Sequence, residues 1–120
     1  MKPLFHPSPD DVTVEGILHA LSDPVRARIF AEIVRAEHPR TCIGAMALCD
    51  QAVPKSTLSQ HFRVLREAGL IRSERRGVEL HNTPRCAELE GRFGNLVELI
   101  LKAHAAQVMR AQKSKRSKSA

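Results

Sequence analysis

The sequence predicts a mainly α-helical fold that carries one small β-hairpin. Apolar residues recur at helical spacing in several segments, and two short strand-like runs lie on either side of Gly77. The 120 residues include four phenylalanines and neither tryptophan nor tyrosine. Aliphatic side chains and alanine must therefore fill the interior, which favours packed helices over a β-sandwich. At this length we expect one folded domain.

The two ends of the chain differ in composition from its middle. The first nine residues contain three prolines and no apolar period, so they predict a flexible arm or an extended strap over residues 1–9. The folded domain is expected over residues 10–109. The Lys- and Ser-rich end over residues 110–120 has little apolar surface to bury and predicts a basic, disordered tail.

Two helices are predicted in the first third of the chain. The first is expected from Asp10 or Asp11 to about Leu21, where apolar residues follow a helical period. The second is expected from Pro24 to about Ala36, because a proline loses no hydrogen bond in the first turn of a helix. Asp23 is a favourable N-cap for it. Its polar residues are expected to face outward, and these are Arg26, Arg28, Glu32 and Arg35.

A short apolar segment over residues 42–49 predicts a third helix. A fourth helix is expected from about Pro54 to Ala68, with Gly69 in the left-handed position that often ends a helix. A helix, a turn and a second helix therefore occupy the middle of the chain.

A β-hairpin and a last helical region complete the predicted fold. Strands are expected over residues 70–75 and 78–83, joined around Gly77. Helix is expected over residues 85–109, with a break within residues 91–95. Helix, turn, helix and hairpin, in this order, predict a winged helix-turn-helix.

The fourth helix has an apolar face and a polar face. Leu58, Phe62 and Leu65 are spaced at i, i+4 and i+7, so they must face the core. The opposite face presents small polar and basic side chains, which can bond to DNA bases and phosphates. The DNA-binding residues predicted on this helix are Lys55, Ser56, Thr57, Ser59, Gln60 and Arg63.

Positive charge is concentrated around this helix and the hairpin. Residues 53–77 hold six basic and two acidic side chains, a net charge of +4, while the whole chain has +6. Such concentration is the electrostatic footprint of a protein that binds a polyanion. The DNA-binding residues predicted on the hairpin are Arg72, Arg75 and Arg76.

Other interpretations stay open for individual residues of this region. Ser56 or Thr57 would also suit an N-terminal cap, and Arg66 would also serve the helix dipole. His61 lies beside the apolar stripe, where a packed or hydrogen-bonded histidine is favoured over a metal ligand.

Two motifs in the chain resemble those of a known family. They are carried by Asp23, Pro24, Arg26, Ser59, His61, Leu65, Ala68, Gly69, Leu70 and Ile71. Together they are similar to the patterns D-P-x-R and S-x-H-x-x-x-L-x-x-A-G-L-[IV] of the ArsR/SmtB family of bacterial winged-helix repressors. The resemblance covers about residues 14–105.

The resemblance implies a homodimer, formed by the first and last helices, that represses transcription from a partly palindromic operator. A two-fold dimer suits double-stranded DNA, because two reading helices about 34 Å apart meet successive major grooves. We therefore expect a sequence-specific transcriptional regulator without a cofactor. We expect it in the bacterial cytoplasm, associated with the nucleoid.

Many repressors of this type release DNA when they bind a metal, but no metal site is predicted here. Cys42 lacks a second cysteine at Cys-x-Cys spacing. On the last helix, Glu98 and His104 are six residues apart, which places them on nearly opposite faces.

A second hypothesis is a redox-sensing pair, Cys42 and Cys49, in which oxidation moves the fourth helix. Seven residues of helix separate the two by ~10.5 Å of rise, beyond the roughly 7 Å Cα limit of a disulfide. A bridge would require distortion, a second chain or Cys86. Thiols that simply pack are the favoured alternative. An oxidant or a small molecule would be the inducer.

Other classes of protein fit the sequence less well. Ser59 and His61 alternate on a helix and there is no Gly-rich phosphate loop, so no enzyme is predicted. No apolar run of about 18 residues predicts a membrane span. The surplus of aromatic side chains typical of RNA readers is missing. The main alternative is a winged-helix protein-interaction module without operator specificity.

Overall fold

The fold is taken from a computed structural model that describes residues 4–36, 40–41 and 53–118. The predicted helix over residues 42–49 lies outside the described residues, as do Cys42 and Cys49. The redox hypothesis for these two cysteines stays a prediction.

The described chain is mainly helical and carries a β-hairpin, as predicted. A 3₁₀ turn at Pro9–Asp11 precedes the first helix. The elements are, in order, α1 (Val14–Leu21), α2 (Pro24–Arg35), β1 (Arg40–Thr41), α3 (Lys55–Glu67), β2 (Ile71–Arg76), β3 (Glu79–Pro84), α4 (Cys86–Phe93) and α5 (Leu96–Lys118).

Side-chain caps set the starts of the first two helices. The Thr13 hydroxyl accepts a hydrogen bond from the Gly16 N–H at 3.0 Å, so α1 begins at Val14, later than predicted. Asp23 accepts a hydrogen bond from a first-turn N–H of α2 at 3.0 Å. Pro24 is the first residue of α2, so the predicted start of this helix is confirmed.

The hairpin, called the wing below, begins one residue later than predicted. Arg76 pairs with Glu79 at its tip, and Gly77 takes a φ of 65° in the turn. The short strand β1 pairs with the other side of β3, which gives the order β1-β3-β2. β2 is therefore an edge strand of the described sheet.

The core lies where α1, α2 and α3 meet β2. Side chains from all four elements are almost completely buried, among them Ile17, Ile29, Phe30, Leu65 and Ile71. The predicted apolar face of α3 is confirmed, since Leu58, Phe62 and Leu65 are 7%, 1% and 0% exposed. Its opposite face is consequently turned to solvent.

The last helix is longer than the sequence predicted. The expected break is present at Gly94 and Asn95, but α5 then continues to Lys118, through most of the segment expected to be disordered. Val97 is the one buried side chain among those described on α5. No helix in the described part of the chain combines the length and apolarity needed to cross a bilayer.

Candidate nucleic-acid interface

The six residues predicted on α3 all lie on its exposed face. The N-cap of α3 is Pro54, which offers no side-chain bond. Ser56 and Thr57 therefore lie inside the first turn and do not cap the helix. The first N–H groups of a helix have no partner within it, and together with the exposed Ser56 and Thr57 side chains they suit a phosphate group.

A groove of about 310 Å³ separates α3 from the wing. It brings together residues that are distant in sequence, because Arg75 of β2 lies across it from the polar face of α3. The groove, called the helix–wing groove below, is lined by Leu4, Ser56, Ser59, Gln60, Phe62, Arg63, Arg66, Arg75 and Leu80.

The three wing arginines do not share one face. Side chains alternate along a strand, and buried Ile71 and Ser73 mark the side of β2 that faces the core. Arg75 continues this side and reaches the groove, whereas Arg72 and Arg76 lie on the other side. The structure thus brings one of the three predicted wing arginines to α3.

Arg72 and Arg76 have acidic neighbours instead. Arg72 donates to Glu88 of α4 at 3.0 Å, and Arg76 lies 3.7 Å from Glu74. A hydrogen bond from Arg85, reinforced by Arg72, lowers the pKa of the Glu88 carboxyl. These pairs are partly exposed, so the two arginines remain predicted DNA-binding residues away from the groove.

A polar chain fixes the wing to α3. Arg66 donates from Nε to the Ser73 hydroxyl at 3.0 Å, and that hydroxyl donates to Asn82 Oδ1 at 2.6 Å. Ser73 and Asn82 are directly opposite each other on β2 and β3. Arg66 therefore connects α3 to the wing, in addition to the interaction with the helix dipole that was considered for it.

The prediction that Arg26 faces outward is wrong. Its side chain is 8% exposed, and its guanidinium donates to the carbonyls of Ala20 at 2.6 Å and His19 at 3.2 Å. These carbonyls lie in the last turn of α1, where the helix dipole favours a cation. Helical periodicity misjudged Arg26 because its partners belong to another helix.

His61 is hydrogen-bonded, as predicted. Arg26 Nη1 lies 3.2 Å from His61 Nδ1. A guanidinium can only donate, so Nδ1 must accept and the imidazole must be neutral with its proton on Nε2. Burial lowers the pKa of His61, while Asp23 opposes this shift and Arg26 adds to it.

Two of the residues considered for sensing share a cleft in the structure. Glu98 and His104 line one cleft of about 410 Å³ between α2 and α5, although their spacing predicted nearly opposite faces. Among the described residues, no three His, Cys, Asp or Glu side chains come together as metal ligands would. Burial raises the pKa of the half-buried Cys86 thiol, which disfavours the reactive thiolate.

The sequence matches a known domain over its central part. Residues 21–74 match the sequence model of a family described as "Helix-turn-helix domain". With the wing that completes this region, the chain has a winged helix-turn-helix fold.

Two solved structures show where this fold recurs. One is an ArsR-like transcriptional regulator from Rhodococcus sp. RHA1, with a TM-score of 0.54, 23% identity and coverage of 86% of this chain and 89% of that chain. Another is an ArsR family transcriptional regulator, with a TM-score of 0.54, 20% identity and coverage of 92% and 98%. A search of curated proteins gave no significant match. The expected resemblance to ArsR-type regulators is thus confirmed for the fold.

Proposed function

We propose that this chain is a sequence-specific DNA-binding transcriptional regulator that acts as a repressor. The observation that carries the proposal is the position of Arg75, which lies across the helix–wing groove from the polar face of α3. A DNA major groove about 12 Å wide admits one helix. With α3 in that groove, Arg75 lies beside it, where it can contact the sugar-phosphate backbone.

Different residues of α3 suit different parts of the DNA. Ser56, Thr57 and the N–H groups of the first turn suit a phosphate, which sets the register of the helix on DNA. Gln60 and Arg63 have the side chains that pair with adenine and guanine edges. Arg63 lies 3.8 Å from Glu67, and both side chains are more than half exposed. Such an exposed pair is worth little, so Arg63 can exchange Glu67 for DNA.

A homodimer through α1 and α5 is part of the proposal. Large apolar side chains are exposed on both helices, with Leu18 51%, Leu99 53% and Met109 63% accessible. A helix of 23 residues with little buried surface gains most of its stability from packing. A second copy would supply that packing and a second reading helix for a two-fold operator.

The test begins by selecting bound duplexes from a random pool, which gives an operator sequence. We expect Arg75→Ala and Arg63→Ala each to weaken binding to this duplex by ~1–3 kcal/mol, or about 5- to 150-fold. Arg35→Ala is the matched control, since it removes the same charge from an exposed side chain outside the groove. Affinity should also fall steeply with salt.

The alternative, a protein-interaction module, makes the opposite prediction. Such a module would bind no duplex even at low ionic strength, and the arginine variants would keep its partner affinity. Failure of the wild-type protein to bind any duplex would therefore refute the regulator.

A further inference from the structure

The first residues described in the structure form a strap across the domain. This N-terminal strap, residues 4–12, crosses the junction between α3 and the wing. Pro7 is buried against Gly69, where α3 ends. At the other end, Arg92 of α4 donates to the carbonyls of Pro9 at 2.5 Å and Val12 at 2.7 Å.

His6 connects the strap to the wing. The backbone N–H of Ser73 donates to His6 Nε2 at 3.0 Å, on the edge of β2 that faces away from β3. Since Nε2 accepts this bond, the His6 imidazole must be neutral. Leu4, two residues earlier, lines the helix–wing groove. The strap therefore lines part of the groove and is hydrogen-bonded to β2, the strand on one side of it.

We propose that His6 is a positioning residue for DNA binding, which acts by tying the strap to Ser73. Ser73 also bonds to Arg66 of α3 and Asn82 of β3. Arg75 follows two residues later on the same side of β2. The bond from Ser73 to His6 thus fixes the part of the strand that carries Arg75 to the groove. This inference rests on the proposed function.

The surroundings of His6 make this bond sensitive to pH. Three cationic side chains face it: Arg66 from α3, Arg72 from β2 and Arg85 from the residue before α4. Glu88 is paired with both Arg72 and Arg85. Burial lowers the pKa of His6, the three arginines lower it further, and a hydrogen bond with the Leu4 backbone offsets part of the shift.

Protonation of His6 destroys the acceptor that Ser73 needs and adds a cation beside three arginines. The hydrogen bond between Ser73 and His6 is therefore fully formed above the ordinary histidine pKa of ~6.5. It is lost as pH falls below the lowered pKa of His6. The operator affinity of the wild-type protein should therefore decrease as pH falls through this range.

The experiment measures affinity for the selected duplex between pH 5.5 and 8 in three variants. At pH 7.5, His6→Ala should weaken binding by about 5- to 10-fold, the effect of one lost hydrogen bond. His6→Gln keeps an acceptor that does not titrate, so it should bind like the wild type at pH 7.5. At pH 5.5, His6→Gln should bind more tightly than the wild type. His19→Gln, at an exposed histidine of α1, should follow the wild-type profile.

The outcomes separate the two proposals. If the wild type binds no duplex, the proposed function fails. If it binds, but His6→Gln and the wild type have the same pH profile and His6→Ala binds normally, the positioning role is overturned. If the His6→Ala variant does not fold, the comparison of His6→Gln with the wild type still tests the positioning role.

Discussion

At the scale of single residues, Arg26 has the most consequential position. Its guanidinium donates to two carbonyls at the end of α1 and bonds to His61 of α3. Its own N–H is held by Asp23, the cap of α2. Three helices therefore depend on a single buried cation whose hydrogen bonds are made inside the protein. The D-P-x-R motif marked this position, but periodicity alone assigned its side chain to solvent.

Replacing Arg26 with alanine should lower the free energy of unfolding by ~2–4 kcal/mol. The change leaves the Ala20 carbonyl and the His61 ring without this partner, and each unsatisfied buried group is costly. The His19 carbonyl keeps its hydrogen bonds from Ser22. Urea unfolding measures the loss. Arg35→Ala, at an exposed arginine of the same helix, should change stability by less than ~0.5 kcal/mol. Equal stability of the two variants would contradict this role.

At the scale of elements, the junction between α3 and the wing decides how the candidate site is shaped. Gly69 ends α3 with a φ of 85°, as its position in the sequence predicted. The helix and the hairpin were both predicted from local patterns. Their relative placement was not, because it depends on Arg66, Ser73 and the strap, which meet only in three dimensions.

Replacing Gly69 with alanine should lower the free energy of unfolding by ~2–4 kcal/mol. A Cβ there would lie 2.4 Å from Val12 Cγ2 and would require a left-handed backbone. Gly91→Ala is the matched control: its Cβ would meet nothing within 4 Å inside a helix, so it should stabilise by ~0.5–1 kcal/mol. Thermal or urea unfolding of both variants tests the contrast.

If the strain at Gly69 comes partly from Val12, the two positions must be coupled. The Gly69→Ala, Val12→Ala double variant should then lose less stability than the sum of the two single variants. Strict additivity would show that the backbone conformation alone causes the cost.

At the scale of the whole molecule, acid should destabilise the fold. His6 and His61 have lowered pKa values in the folded protein, so the unfolded chain binds protons more readily near pH 6. These two histidines should add no pH dependence above about pH 7, and stability should fall as pH drops below ~6.5. Urea unfolding at pH 7.5 and 5.5 measures this loss. Equal stability at both values would refute neutral imidazoles at these sites.

Two carboxylates should add a further loss of stability at lower pH. Burial tends to raise the pKa of Asp23, but the Arg26 N–H and nearby cations outweigh it and lower the value, and the pKa of Glu88 is lowered as well. Their contribution is present above their unfolded values and is lost as pH falls through the folded ones. A second decrease in stability is therefore expected below about pH 4.5.

The proposed dimer can be tested through its exposed apolar side chains. Leu18→Lys together with Leu99→Lys should shift the protein from dimer to monomer, because two charges would face an apolar partner surface. Sedimentation equilibrium measures the mass. Val78→Lys, at a fully exposed residue of the wing tip, should leave the dimer intact. A wild-type protein that is monomeric at high concentration would refute the interface.

Local patterns in the sequence were enough to determine the helices α1, α2 and α3, the wing and the exposed polar face of α3. Helical and strand periods report which side of an element is apolar, and caps and glycines report where it ends. Only the tertiary structure decided that Arg26 is buried, that Arg75 alone among the wing arginines lines the groove, and that His6 holds β2. These features depend on partners distant in sequence, and the spacing of residues within one element carries no information about them.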